Sequence, residues 1–337
     1  MKKLYARIVP LVFVLGACSS SDEPAADPSV PVGFSVQTET RAAVTGTTLP
    51  NGSLFKVWGG YDGNNVFDGR EVTKTASGCT YTGTEYWVPG KTYNFHAVYP
   101  AELPAGATLT VAGDGTVSVS NFDCSATGGA AVDLMTASAP NIKADKIIAS
   151  QNPVELTFSH LLSHISFVFD NQLTGYAAEV TDISFSIQVK GNYISTEASP
   201  WTNLIPGAIT LYPSAAPSAA PAAAPLKVAN GSSVTSDPAL VIPQSNTGVN
   251  VTFTVTIREI IDEDTGSTTM TVVKRFTSPL ATTDGEWKMG QRYEYKATLT
   301  GELMEMDGLT QITLDVKITD WSVEDANVSW GGETAAP

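Results

Sequence analysis

Positive charge is scarce in this sequence. Nineteen Lys and Arg stand against 34 Asp and Glu over 337 residues, a formal net charge of −15. Nucleic-acid affinity rests on clustered Lys and Arg, and no run of either exceeds two residues, so no nucleic-acid partner is expected. Histidine and cysteine number three each, which leaves little material for a metal centre or a dense disulfide framework. No run beyond the N-terminal segment approaches the roughly 20 apolar residues of a membrane-spanning helix. No segment keeps a 3.6-residue apolar period over the length of a convincing helix. Nucleophile-elbow, P-loop and dinucleotide fingerprints do not occur. The reading is therefore of a non-enzyme without cofactor.

What is present begins with an export signal. Lys2, Lys3 and Arg7 precede the short apolar segment Ile8 to Leu15, and Leu15-Gly16-Ala17 places small residues before Cys18. This is a signal-peptide pattern over residues 1–17. A cysteine directly after it resembles a lipobox, which implies diacylglycerol on Cys18. Removal of three basic and no acidic residues would take the charge from −15 to −18. Residues 18–41 then read as a flexible polar tether followed by a first strand. The acidic pair Asp22-Glu23 resembles the surface-export signal of Bacteroidales lipoproteins.

The rest is a succession of strands, marked by apolar residues at every second position. Val30, Val32, Phe34 and Val36 share one face. So do Tyr93, Phe95, Ala97 and Tyr99. Thr108–Val111 and Thr116–Ser120 flank Gly113-Asp114-Gly115, a hairpin turn whose residues tolerate positive φ. Further rows are Ile165/Phe167/Phe169, Ile183/Phe185/Ile187/Val189, Val249/Val251/Phe253/Val255/Ile257, Tyr293/Tyr295/Ala297/Leu299 and Ile312/Leu314/Val316/Ile318. Many short strands joined by Gly, Pro and Asn turns indicate an all-β fold of β-sandwiches. The polar stretch Asn141 to Pro153 suggests two domains, 42–150 and 151–337. Proline at every fourth position from Pro213 to Pro225 forbids helix and ladder alike, and reads as a long exposed loop inside the second domain.

Chemistry-bearing residues are few. His160 and His164 have an i, i+4 spacing but no third ligand, and lead into a strand; they are expected to be structural, and no metal site is expected. Asp262-Glu263-Asp264-Thr265-Gly266 lacks the glutamate a calcium loop needs at its twelfth position, and reads as a hairpin tip. Cys79 and Cys124 lie in the first half, where export permits oxidation; a disulfide between them and two isolated thiols both stay open. Trp58, Tyr61, Tyr81, Tyr86 and Trp87 read first as core and strand-pair residues, and alternatively as a sugar-stacking surface.

The mature chain resembles the fimbrillins, the type V pilins of the Bacteroidales, through pieces that keep their order along its length. These are the lipobox at Cys18, Thr40-Arg41-Ala42 after the first strand, Phe55-Lys-Val-Trp-Gly-Gly-Tyr61, and Tyr86-Trp87 with Tyr93-Asn-Phe-His-Ala-Val-Tyr-Pro100. Leu156-Thr-Phe-Ser-His160, Gly290-Gln-Arg-Tyr-Glu-Tyr and Ile318-Thr-Asp-Trp321 follow. The resemblance implies two tandem transthyretin-like (Greek-key) β-sandwich domains, an outer-membrane lipoprotein exposed at the surface, and assembly into a fimbrium. It also implies a trypsin-like protease cutting between Arg41 and Ala42, which would remove Val30, Val32, Phe34 and Val36 as one strand. The vacated groove would take a strand from another fimbrial subunit by β-augmentation, head to tail. The donor is expected within 311–330, carried by Ile312, Leu314, Val316 and Ile318, with Val328 and Trp330 a second option. The alternative is a tip adhesin or surface lipoprotein that binds glycan or protein.

Overall fold

Apolar alternation becomes strand almost everywhere the sequence places it. A computed structural model describes residues 30–38, 49–145, 153–214, 224–262, 267–304 and 308–321, and among them there is no α-helix. The first half carries β1 (Phe34–Thr38), β2 (Leu54–Tyr61), β3 (Asn64–Thr75), β4 (Gly78–Tyr81), β5 (Thr92–Tyr99), β6 (Thr108–Val111), β7 (Val117–Asp123) and β8 (Met135–Lys143). Next come β9 (Val154–His160), β10 (Ser163–Asn171), β11 (Tyr176–Ile194), β12 (Trp201–Leu211), β13 (Leu226–Val228), β14 (Ser233–Thr235) and β15 (Ala239–Val241). The series ends with β16 (Gln244–Ser245), β17 (Asn250–Asp262), β18 (Ser267–Pro279), β19 (Glu286–Trp287), β20 (Gln291–Leu299), β21 (Leu309–Gln311) and β22 (Asp315–Asp320).

These strands enclose two hydrophobic cores. A seven-stranded sheet in the order β1-β9-β8-β5-β2-β3-β4 curls until its ends meet, the Tyr81 hydroxyl donating to the Val32 carbonyl at 2.7 Å. Inside it lie Phe34, Phe55, Phe67, Tyr93, Phe95, Leu156 and Phe158. The second core is packed between an eight-stranded sheet, built along β21-β18-β17-β11-β7-β6, and a five-stranded one built along β14-β10-β20-β22. The rows Ile183/Phe185/Ile187/Val189, Val251/Phe253/Val255/Ile257 and Tyr293/Tyr295/Ala297/Leu299 all face it and are buried.

Each core takes strands from across the expected division at 150/151. β9 pairs with β8 in the N-terminal sheet, because its apolar face, Val154, Leu156 and Phe158, fits that core. The β6–β7 hairpin forms around Gly113-Asp114-Gly115 as expected, but β7 then pairs with β11 and adds to the C-terminal sheet. Leu161 and Leu162, in the turn after β9, are buried in the second core, so the chain passes from one core to the other there. β10 departs from simple alternation: His164, Ser166 and Val168 are buried along with Ile165, Phe167 and Phe169.

Polar groups in the second core are tied down. The buried Tyr295 hydroxyl donates to the Leu280 carbonyl at 2.7 Å and accepts from Trp287 Nε1 at 2.8 Å. Tyr295→Phe keeps the ring but orphans both partners, and is expected to lower the free energy of unfolding by about 1–3 kcal/mol, read from urea denaturation.

Candidate functional site

The first strand is held on every side. Val32, Phe34 and Val36 point into the N-terminal core and are at most 3% exposed; Val30 packs against its margin. The Phe34 ring meets Phe67 and Phe95 edge-on, with centroids 5.2 and 5.4 Å away, a favoured aromatic geometry. One backbone edge runs parallel to β9, from Phe34 opposite Val154 to Thr38 opposite Phe158, and the Val154 N–H donates to the Gly33 carbonyl at 2.8 Å. The opposite edge joins the segment after β4: the Val32 N–H donates to Glu85 at 2.8 Å, and the Trp87 N–H donates to Val30 at 3.0 Å. Residues 30–38 are thus a plug in a slot. Without them, the slot would be an apolar groove bordered by unpaired backbone groups. Arg41 and Ala42 lie outside the described residues, as does Cys18; the described chain resumes at Leu49, itself buried in the same core.

The C-terminal strand is the opposite case. β22 pairs with β20, from Lys296 opposite Asp315 to Gln291 opposite Asp320, and no described strand covers its outer edge. All six of its residues are exposed. The row expected on one buried face is therefore split: Ile312 is buried and Leu314 packs against the second core, whereas Val316 and Ile318 are 37% and 42% exposed. The strand has run past the rim of the core, so its alternation finds nothing to pack on. Val328 and Trp330 lie outside the described residues.

Just beyond β22 the chain is pinned. Trp321 is buried and stacks on His160, with centroids 3.8 Å apart and planes 13° from parallel; His164 approaches it edge-on at 5.2 Å. His160 Nδ1 is 3.0 Å from the Asp133 carboxylate. The two histidines flank the turn between β9 and β10, so their i, i+4 spacing is not helical. Among the described residues no group of three or more His, Cys, Asp or Glu is placed to hold a metal. The tip at 263–266 and residues 215–223 of the Pro/Ala run are not among those described.

Cys79 and Cys124 are both free thiols. They do not pair because they belong to different cores: Cys79 packs against the N-terminal one and Cys124 is buried in the other. Burial pushes the Cys124 thiol up to about 12. Of the aromatic cluster, Trp87 is core, Tyr61 and Tyr81 pack against that core, Tyr86 is exposed and Trp58 is half-buried.

The chain matches the fimbrillin-like family over residues 40–321. No curated protein matches it. Among solved structures it is similar to a fimbrial protein from Bacteroides vulgatus, 17% identical, with a TM-score of 0.54 over 87% of this chain and 99% of that one. A structure classed as a cell-adhesion protein, from Bacteroides uniformis, is 15% identical with a TM-score of 0.49, covering 88% and 99%. A fimbrial anchor protein from Porphyromonas gingivalis is 12% identical with a TM-score of 0.33, covering 87% and 99%.

Two outcomes are expected from this geometry. Phe34→Ala opens a cavity in the N-terminal core and is expected to cost about 3–5 kcal/mol, whereas Ile318→Ser on the exposed edge changes stability by no more than about 0.5 kcal/mol; urea denaturation of both variants checks the contrast. Iodoacetamide at pH 8 without denaturant is expected to modify Cys79 well before Cys124, since the thiolate is the reactive form; peptide mass mapping against time reads the order.

Proposed function

The chain belongs to the fimbrillin-like family, and from that premise we propose that it is a structural subunit of a cell-surface fimbria that assembles by protease-triggered strand exchange and supports adhesion. The subunit reaches the outer surface as a lipoprotein held in the outer membrane through Cys18. A trypsin-like protease cuts after Arg41, the mature chain begins at Ala42, and residues 30–38 leave the slot. What drives assembly is then simple. The emptied groove exposes apolar surface and orphaned backbone groups, each costly in water, and a strand from the next subunit relieves both by β-augmentation. The contact is heterologous and does not close, so it propagates head to tail as a filament.

The observation that carries this reading is the contrast between the two termini of the described chain. The first strand is packed into the core, paired with β9 along one edge and bonded on the other side through Val30 and Val32. The last is solvent-exposed and paired on one edge only, which suits the region 311–330 to leave its own sheet as a donor. A second reading, a tip subunit that accepts a strand but donates none, is favoured by Ile312 and Trp321. Both are buried, and they fasten the chain on either side of β22.

Arg41→Ala is expected to leave the unfolding midpoint unchanged and to abolish polymerisation, with mass spectrometry of sheared surface protein showing Ala42 as the N-terminus of wild-type material only. Normal filaments from the Arg41→Ala variant would sink the cleavage step. Lipidated Cys18 in all the surface material would mean that residues 30–38 stay in the slot, as in an anchor or a surface lipoprotein that binds a ligand without polymerising.

A further inference from the structure

A cleft of about 280 Å3 opens between the β2–β3 hairpin and the β6–β7 turn, away from both β1 and β22. It lies on the seam of the two cores: Trp58, which lines it, projects from the N-terminal sheet yet packs against the C-terminal core. The indole is backed by Gly69, where a Cβ would stand 3.2 Å from the six-membered ring. The His96 ring also lines the cleft and requires Gly115 beside it. That glycine has φ +88°, and a Cβ there would fall 2.1 Å from the imidazole. Two aromatic rings thus lie close against glycines in the left-handed region, where a side chain would be strained and would crowd the ring.

Around them stand hydrogen-bonding groups of both senses. Asn94 Oδ1 accepts from the Asn141 N–H at 2.9 Å, which orients the amide and leaves its NH2 to donate. Asp114 Oδ1 accepts from the Thr116 N–H at 2.9 Å, a bond that fixes the carboxylate and holds it below the ordinary range. Asp62 also lines the cleft, already paired with Lys91.

This chemistry selects a ligand class. An apolar ligand would leave the amide and carboxylates unpaired. An anion would meet the carboxylate of Asp114, and no described Lys or Arg lines the cleft to offset it. A cation would find a single carboxylate, that of Asp114, because Asp62 is already paired with Lys91. A sugar ring has an apolar C–H face for the indole and a rim of hydroxyls that both donate and accept, as Asn94, His96 and Asp114 require. Clefts at the junction of two packed units are common ligand sites. We propose that this cleft is a binding subsite for a neutral pyranose unit of a glycan, its ring on Trp58 and its hydroxyls on Asn94, His96 and Asp114.

Saturation-transfer NMR on the full chain tests it, with methyl β-galactopyranoside and N-acetylglucosamine as probes, and sialic acid and putrescine as anionic and cationic controls. Gly113 lines the mouth, and a Cβ there meets nothing within 4 Å, so Gly113→Trp blocks the cleft while keeping the unfolding midpoint. Trp58→Leu removes the stacking surface, its fold checked by the same midpoint. Transfer to at least one neutral sugar, reduced roughly tenfold or more in Gly113→Trp, is the expected result. No transfer to either sugar, undiminished transfer in Gly113→Trp, or stronger transfer to sialic acid or putrescine overturns the proposal. The readout does not involve polymerisation, so this outcome and the fimbrial reading stand or fall separately.

Discussion

Residues 30–38 are held in three ways at once: a ladder to β9 along one edge, bonds of Val30 and Val32 with the segment after β4 on the other, and a buried inner face. The parallel ladder to β9, the two bonds to the segment after β4, and the row Val32, Phe34, Val36 are a single interlocked arrangement. Removing the strand would leave the backbone groups of β9 and of residues 85–87 without partners, each such group costing about 1–3 kcal/mol when kept from water. Such a slot tolerates exchange of its occupant far better than vacancy. The core around Phe67, Phe95 and Phe158 depends on something filling it.

Much of this was legible as sequence, because burial on one face of a strand writes itself as period two. Val30 to Val36, Tyr93 to Ala97, Ile183 to Val189 and Tyr293 to Leu299 each read as strands, and each packs on the face its apolar residues define. The hairpin at Gly113-Asp114-Gly115 was legible too, since turn chemistry is local. Strand partners were not. Nothing local to Val154, Leu156 and Phe158 says that they return to the sheet before them, nor that β7 lies against β11. Alternation also cannot tell whether a core lies beneath it: Ile312, Leu314, Val316 and Ile318 keep one pattern across the rim where the core stops. The cleft was legible only as its parts, because Trp58 and Asp114 are 56 positions apart in the chain and meet through the docking of two hairpins.

That docking gives the two cores a shared boundary rather than a linker. β9 and β10 are joined by two buried leucines, and Trp201 Nε1 donates to the Leu161 carbonyl at 3.1 Å. The β6–β7 hairpin leaves the first half to extend the other sheet, and Trp58 fills the angle between them. Shared strands and buried side chains of this kind oppose hinge motion between the units.

The stack of Trp321 on His160 has one more consequence. β9 carries the first strand along its edge and ends in the imidazole on which the last described residue rests. The two ends of the fold therefore share a single element, about seven residues long. β9 thus borders both the slot and the seat of Trp321, and a displacement of that strand along its length would disturb both contacts. Were the two contacts coupled through it, linkage would require the coupling to be reciprocal: whatever loosens the seat of Trp321 would loosen the first strand by the same free energy.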